Sequence, residues 1–205
     1  LEGNWENARN FGGRGLTVAP ADPRLLGNKV VQEYEVGNFD QGTQDLDRLL
    51  TVMRRTSSGP TLEHAFVALV IPLVAHITGS SGNFNVAERA ARRILSSPSA
   101  APTHATYARV GLALLAVQQG NLAAARQSYV FLASHPGTMI RMIASDRLLG
   151  LLARTMGDFD KATGHFEDAL AFCRKAGYRP ELAWTCCDFA DALLERNDPG
   201  DRGLA

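Results

Sequence analysis

Arg147 and Arg154 stand seven residues apart, which on a helix is two turns and therefore one face. Two guanidiniums so placed form either a clamp for an anion or carboxylate or a solvated basic face. The other reactive side chains are more scattered. None of the histidines (His64, His76, His104, His135 and His165) lies at metal-ligand spacing from another histidine or from a cysteine pair. His165 and Cys173 are eight residues apart, so they share a helix face without being able to share an ion. Cys186 and Cys187 are adjacent and must point about 100° apart on one helix. The cysteines are expected to pack as small buried hydrophobes.

Carboxylates offer no better constellation. Asp45 with Asp47, and Glu181 with Asp188 and Asp191, read as solvated helix faces, because an isolated exposed acid has no cause for a shifted pKa. Gly12-Gly13-Arg14-Gly15 resembles a phosphate cradle in composition, but it falls inside a helical pattern and reads as a locally weak helix. Gly79-Ser80-Ser81-Gly82 reads as a helix end rather than a hydrolase elbow. No nucleophile, base and orienting group form a set. The expectation is a non-enzymatic segment with no cofactor and no metal.

The elements that position these residues are announced by a repeated tripeptide. It runs Gly3-Asn4-Trp5, Gly37-Asn38-Phe39, Gly82-Asn83-Phe84, Gly120-Asn121-Leu122 and Gly157-Asp158-Phe159, with a degenerate copy at Asn197-Asp198. The intervals are 34, 45, 38, 37 and 40 residues, a period that marks a helical repeat array. Glycine ends a helix in the left-handed conformation, Asn or Asp caps the next one, and the aromatic is expected to pack into the joint. Five residues after each elbow glycine sits a small residue: Ala8, Gly42, Ala87, Ala125 or Ala162. Seven before it stands Val30, Ala75, Ala113 or Gly150. Small residues there let two antiparallel helices approach closely.

Eleven helices follow from the pattern, over 4–18, 22–36, 39–56, 61–78, 84–96, 103–118, 122–134, 138–156, 159–176, 180–196 and a stub from 201, with no β-sheet. Ser57-Ser58-Gly59-Pro60 is a loop. Pro72 falls inside a predicted helix and should kink or break it, at a cost of about 3 kcal/mol unless packing compensates. Residues 1–205 are read as one array.

Of its 205 residues, 45% are hydrophobic and 20% charged, which is globular. Lys plus Arg and Asp plus Glu both total 21, so no basic surplus points to nucleic acid. Three cysteines, two of them adjacent, make no disulfide framework and suit a reducing cytoplasm. No apolar run is long enough to span a bilayer.

The spacing resembles the tetratricopeptide repeat. The best match is Gly150, Gly157-Asp158-Phe159, Ala162, Phe166 and Ala169. The early Trp of that consensus is missing, and most intervals exceed its 34 residues. The longer units resemble the arrays in large bacterial signalling ATPases. The resemblance implies an all-α, right-handed superhelix of helical hairpins. It also implies a protein-interaction or ligand-sensing role in a LuxR-type transcriptional regulator with an ATPase module, or in a nucleotide-cyclase protein. In that family the first helix of each hairpin lines a concave groove, so the resemblance places Tyr34, His76, Tyr107, Gln118, Arg147, Arg154, Trp184 and Asp191 there. The partner would be a protein, a peptide or a neighbouring domain. The chain opens on a second helix and ends as another begins, so it reads as a piece of a longer array able to self-associate through uncapped ends.

Overall fold

The computed structural model describes residues 2–56 and 59–204. Ser57 and Ser58, half of the expected loop, lie outside the described residues. Among the described residues the protein is all-helical apart from one two-stranded sheet. Contacts divide it into two compact units, residues 4–115 and residues 116–204, the latter with Glu2 and Gly3.

The first unit holds α1 (Trp5–Val18), α2 (Pro23–Glu35), α3 (Phe39–Arg55), α4 (Leu62–Thr78), α5 (Phe84–Leu95) and most of α6 (Pro102–Gln118). The chain turns from α2 into α3 through a left-handed Gly37, and the Asn38 N–H reaches back to the Glu33 carbonyl at 2.8 Å. That six-to-one bond, with glycine as the left-handed residue, satisfies carbonyls that would otherwise be orphaned at the helix end. A connection this short makes the two helices antiparallel neighbours.

The next elbow departs from the expected place. Gly79, not Gly82, ends α4 in the left-handed conformation, and Asn83 is left-handed as it opens α5. Asn83 makes no side-chain cap there. The Gly-Ser-Ser-Gly run let the chain stop one glycine early.

Helix α4 is buried without interruption from His64 to Ala75, and nearly every side chain on it is apolar. A helix hydrophobic all round belongs inside a bundle. α2 and α5 pack directly against it. Pro72 does not break it. Proline has no N–H, so the carbonyl of Ala68 loses its helical donor. Gly111 of α6 lies directly against that carbonyl, so close that a Cβ on residue 111 would overlap the oxygen. The helix defect and the glycine therefore fit each other.

The second unit holds α7 (Leu122–Leu132), β1 (Met139–Ile140), β2 (Ile143–Ala144), α8 (Ser145–Thr155), α9 (Phe159–Ala176), α10 (Arg179–Arg196) and α11 (Asp201–Leu204). Its elbows repeat the six-to-one bond: Asn121 N–H to Ala116 at 2.9 Å and Asp158 N–H to Ala153 at 3.0 Å, each beside a left-handed glycine. Here the expected caps form. Asn121 accepts from the Ala124 N–H and Asp158 from the Lys161 N–H. Small residues sit in the core as their spacing predicts. Ala162 and Ala169 are fully buried, and Gly150 leaves room for the ring of Phe166. Phe166 in turn stacks on Phe189 with ring centroids 5.5 Å apart.

Three further expectations are corrected. The helix predicted over 138–156 begins only at Ser145, because residues 139–144 form an antiparallel hairpin pairing Met139 with Ala144. The backbone groups just before the hairpin are claimed by side chains from the turn that follows it. The Thr138 N–H donates to Ser145 Oγ and the Gly137 N–H to Asp146 Oδ2. The elbow residues Phe39 and Leu122 are about half exposed rather than packed into a joint. Ala8, alone among the small residues five past an elbow, is exposed.

Candidate functional site

Four of the polar groups that the second unit buries, Arg147, Glu181, Thr185 and Asp188, lie on α8 and α10. Arg147 is 2% exposed. Its Nε donates to Glu181 Oε1 at 2.8 Å and its Nη1 to Asp188 Oδ2 at 2.8 Å. Glu181 Oε1 also accepts the Ala144 N–H at 2.6 Å, which ties the β-hairpin to α10. One helix turn further on, Thr185 Oγ1 donates to the Glu181 carbonyl. Burial works against the Arg147 charge, but Glu181 and Asp188 outweigh it and hold the guanidinium well above its ordinary value. Burial also pushes the Glu181 carboxyl up, against the pull of Arg147. The Arg147 guanidinium and the Ala144 N–H both donate to Oε1 and favour the carboxylate against that burial.

The seam continues outward. Two turns along α8, Arg154 Nε donates to Glu195 Oε2 at 2.6 Å, and Asp191 stands 3.9 Å from its Nη1. The arginines are spaced by seven on α8, and Glu181, Asp188 and Glu195 are spaced by seven on α10. The two helices thus meet along a ladder of opposite charges, buried at one end and exposed at the other. The reading of Glu181 and Asp188 as solvated acids is corrected, and so is that of Asp45. That carboxylate is fully buried in the first unit, held by Lys29 at 2.9 Å and Arg48 at 3.1 Å.

The remaining residues singled out from the sequence fall as follows. Tyr34 is buried, with its hydroxyl 3.0 Å from Thr43 Oγ1 and its ring over Gly42. Tyr107 is half-buried and meets Phe66 edge-on at 5.7 Å. His76, Gln118 and Trp184 are half-buried, and Asp191 is exposed. Tyr34, His76 and Tyr107 belong to the first unit, whereas Gln118, Arg147, Arg154, Trp184 and Asp191 belong to the second. In the second unit the structure brings Arg154 and Asp191 together beside Glu195. Arg147 is core.

Among the cysteines only Cys173 is buried, and Cys186 and Cys187 are exposed, which corrects the expectation for that pair. Burial, reinforced by Glu181, pushes the Cys173 thiol up to about 11, so it is not a nucleophile near neutral pH. His165 faces Tyr129, with Nε2 2.7 Å from the phenolic oxygen, and burial lowers its pKa. Among the described residues no group of His, Cys, Asp and Glu could hold a metal ion. No helix of the described residues is long and apolar enough to cross a membrane. An open groove of about 400 Å³ runs past the Gly157 elbow, between Met156, Phe159, Asp160 and Arg196. The Arg196 charge there is met by Asp201 and by Asp198 at 3.4 Å.

No family model, curated protein or solved structure matches this chain.

Proposed function

We propose that the chain is a tetratricopeptide-type interaction or ligand-sensing segment, a right-handed superhelical array of hairpins. We further propose that it serves a cytoplasmic bacterial LuxR-type transcriptional regulator with an ATPase module. The observation that carries the reading is the recurrence of one elbow. At residues 37, 120 and 157 a left-handed glycine precedes an Asn or Asp whose N–H closes a six-to-one bond, and five residues after each glycine a small side chain is buried. A chain that repeats a joint builds an extended surface from like units, and such surfaces serve binding. In the second unit the exposed end of the α8–α10 ladder, with Arg154 and Asp191, and the half-buried Trp184 two turns before Asp191 on α10 supply the residue types that anchor a partner.

The test is a calorimetric titration of this chain against the modules that flank it in its coding sequence. The expected flanks are an ATPase upstream and a helix-turn-helix module downstream. The expected result is saturable binding that Arg154→Ala weakens by about 1.5–3 kcal/mol, as for a hydrogen bond to a charged group. Flanks encoding a nucleotide cyclase would overturn the regulator assignment. Absence of binding to any flanking module would overturn the interaction role.

A further inference from the structure

The neutral total charge conceals a segregation. Residues 48–115 carry seven arginines and two glutamates, whereas residues 1–47 carry four basic and eight acidic side chains. The fold brings four of those seven arginines to one end of the first unit. The short elbows, 36–38 and 79–83, lie at one end of the α2–α3 and α4–α5 hairpins. The opposite ends of these four helices therefore lie at the other. The last turns of α3 and α5 and the first turn of α4 must share that second end, since α3 and α5 both pack on α4. The Arg93 charge reaches His64 in the first turn of α4, which agrees with this placement. Arg54, Arg55, Arg92 and Arg93 are exposed there, and Arg89 is exposed midway along α5.

Part of this charge has a local role. Arginines in a last turn offset the helix dipole, and Arg92 pairs with Glu88 one turn back at 2.6 Å. That does not account for the rest. Among the described residues no hydrogen bond or ion pair engages Arg54, Arg55 or Arg89, and Arg89 precedes the last turn of α5.

We propose that this end of the first unit docks an acidic polypeptide segment, a run of Asp and Glu held by Arg54, Arg55 and Arg89, with the charge of Arg93 adding to the local field. The chemistry favours carboxylates over the other polyanions. Guanidinium forks match carboxylates and phosphates alike, so the rest of each ligand separates them. A single-stranded nucleic acid needs aromatic platforms for its bases, and stable attachment to a lipid surface needs apolar side chains beside the charges. The exposed large hydrophobics of the described residues are Phe11, Val18, Phe39, Leu122, Val130 and Leu194, and none lies on α4, α5 or the last turn of α3.

The experiment measures fluorescence anisotropy of a labelled poly-glutamate peptide with the whole chain, over a range of salt. Parallel arms use a duplex oligonucleotide, a single-stranded oligonucleotide and phosphatidylserine vesicles. Two double variants, Arg54→Gln with Arg55→Gln and Arg89→Gln with Arg93→Gln, are compared with Arg126→Gln on α7, and circular dichroism checks each fold. The expected result is peptide binding that weakens as salt rises, because exposed charges are screened. Each double variant should lower affinity by about fivefold or more, since hydrogen bonds to charged groups are the strong ones, and Arg126→Gln should not. No peptide binding at low salt, equal affinity for both double variants and wild type, or preferential binding of an oligonucleotide or of vesicles would overturn the proposal.

Discussion

Helices α4 and α8 are each enclosed on all sides, and they solve that enclosure with opposite chemistry. α4 is buried from His64 to Ala75 and meets its neighbours with apolar side chains, a proline and a facing glycine. α8 is buried from Ser145 to Ala153, yet its first turn carries Ser145, Asp146 and Arg147. Each of those three polar groups has a named partner in another turn or element. The dry helix gains from area removed from water, at roughly 25 cal/mol per Å². The polar one gains little net from its ions, because desolvation offsets their attraction. What the ions supply is position. Arg147 meets acids two turns apart on α10, so a slide of either helix by one turn would leave charges unpaired.

Removing one member of the triad should be the most damaging single change. Arg147→Ala leaves Glu181 and Asp188 buried without their cation, and a loss of about 3–5 kcal/mol is expected. Chemical denaturation checks this. A loss below that of an exposed control such as Arg126→Ala would show that water reaches the seam. The sharper experiment replaces all three, with Arg147→Met, Glu181→Leu and Asp188→Leu. A chain as stable as wild type would mean that the ions specify rather than stabilise, as expected for a triad exchanged for packed apolar groups. The cost is that Ala144 loses the acceptor of its N–H, so hydrogen exchange should rise at that amide.

The corresponding test in the dry helix is Gly111→Ala. A Cβ cannot enter beside the Ala68 carbonyl without moving a backbone. The loss should reach the upper end of the overpacking range, about 3 kcal/mol. Pro72→Ala sharpens it. Restoring the N–H gives Ala68 its helical donor and should not rescue Gly111→Ala, because the obstruction is steric. Rescue would mean that the Ala68 carbonyl, rather than the space beside it, is what Gly111 serves. Ala162→Leu should cost less, roughly 1–3 kcal/mol, since a side chain at the α8–α9 contact has more neighbours able to adjust. A denaturation midpoint no lower than that of exposed Lys161→Ala would contradict the burial of Ala162.

The same contrast explains what could be read in the sequence. Elbow glycines are local events, needing only a residue that tolerates positive φ, so Gly37, Gly120 and Gly157 stood out with the helices they separate. The small residues five places later were legible for the same reason. Partners distant along the chain were not. The hairpin 139–144 is held at its two ends, where Ser145 and Asp146 take the N–H groups of Thr138 and Gly137 just before it and the distant Glu181 takes that of Ala144, and its own residues read as the start of a helix. The seven-residue spacing of Glu181, Asp188 and Glu195 matches that of Arg147 and Arg154, and that match was the available signal for the α8–α10 ladder. Gly82 misled because two glycines lay within one turn of each other and only packing chose between them.

Two histidines, one in each unit, extend the comparison to pH. Burial lowers the pKa of both, His64 in the first unit and His165 in the second. A histidine whose folded pKa lies below its unfolded value near 6.5 contributes nothing above that value. As pH falls through it, the unfolded chain takes up protons first and the fold loses stability. Tm should therefore decline on acidification from pH 7. His165→Gln, which can still meet the Tyr129 hydroxyl, should reduce the decline. An unchanged acid profile in both His165→Gln and His64→Gln would mean that other groups control it.

Arg154→Ala should have the smallest effect on the fold and is the closest control for Arg147→Ala. The two arginines share a helix and a face, each has two acidic partners of its own, and they differ in burial. Arg147 is 3% exposed at its side chain and Arg154 27%, while Glu195 and Asp191 are exposed by half or more. Water screens the outer pair, so its removal should cost no more than about 1 kcal/mol, and less as salt rises. The carboxylates it leaves behind are already hydrated and incur no new desolvation. Equal losses for the two variants would sink the distinction between a core ladder and a surface one. A small loss for Arg154→Ala leaves that guanidinium as the charge on this face that a partner can engage without unfolding the unit, and denaturation of the two variants side by side decides between these outcomes.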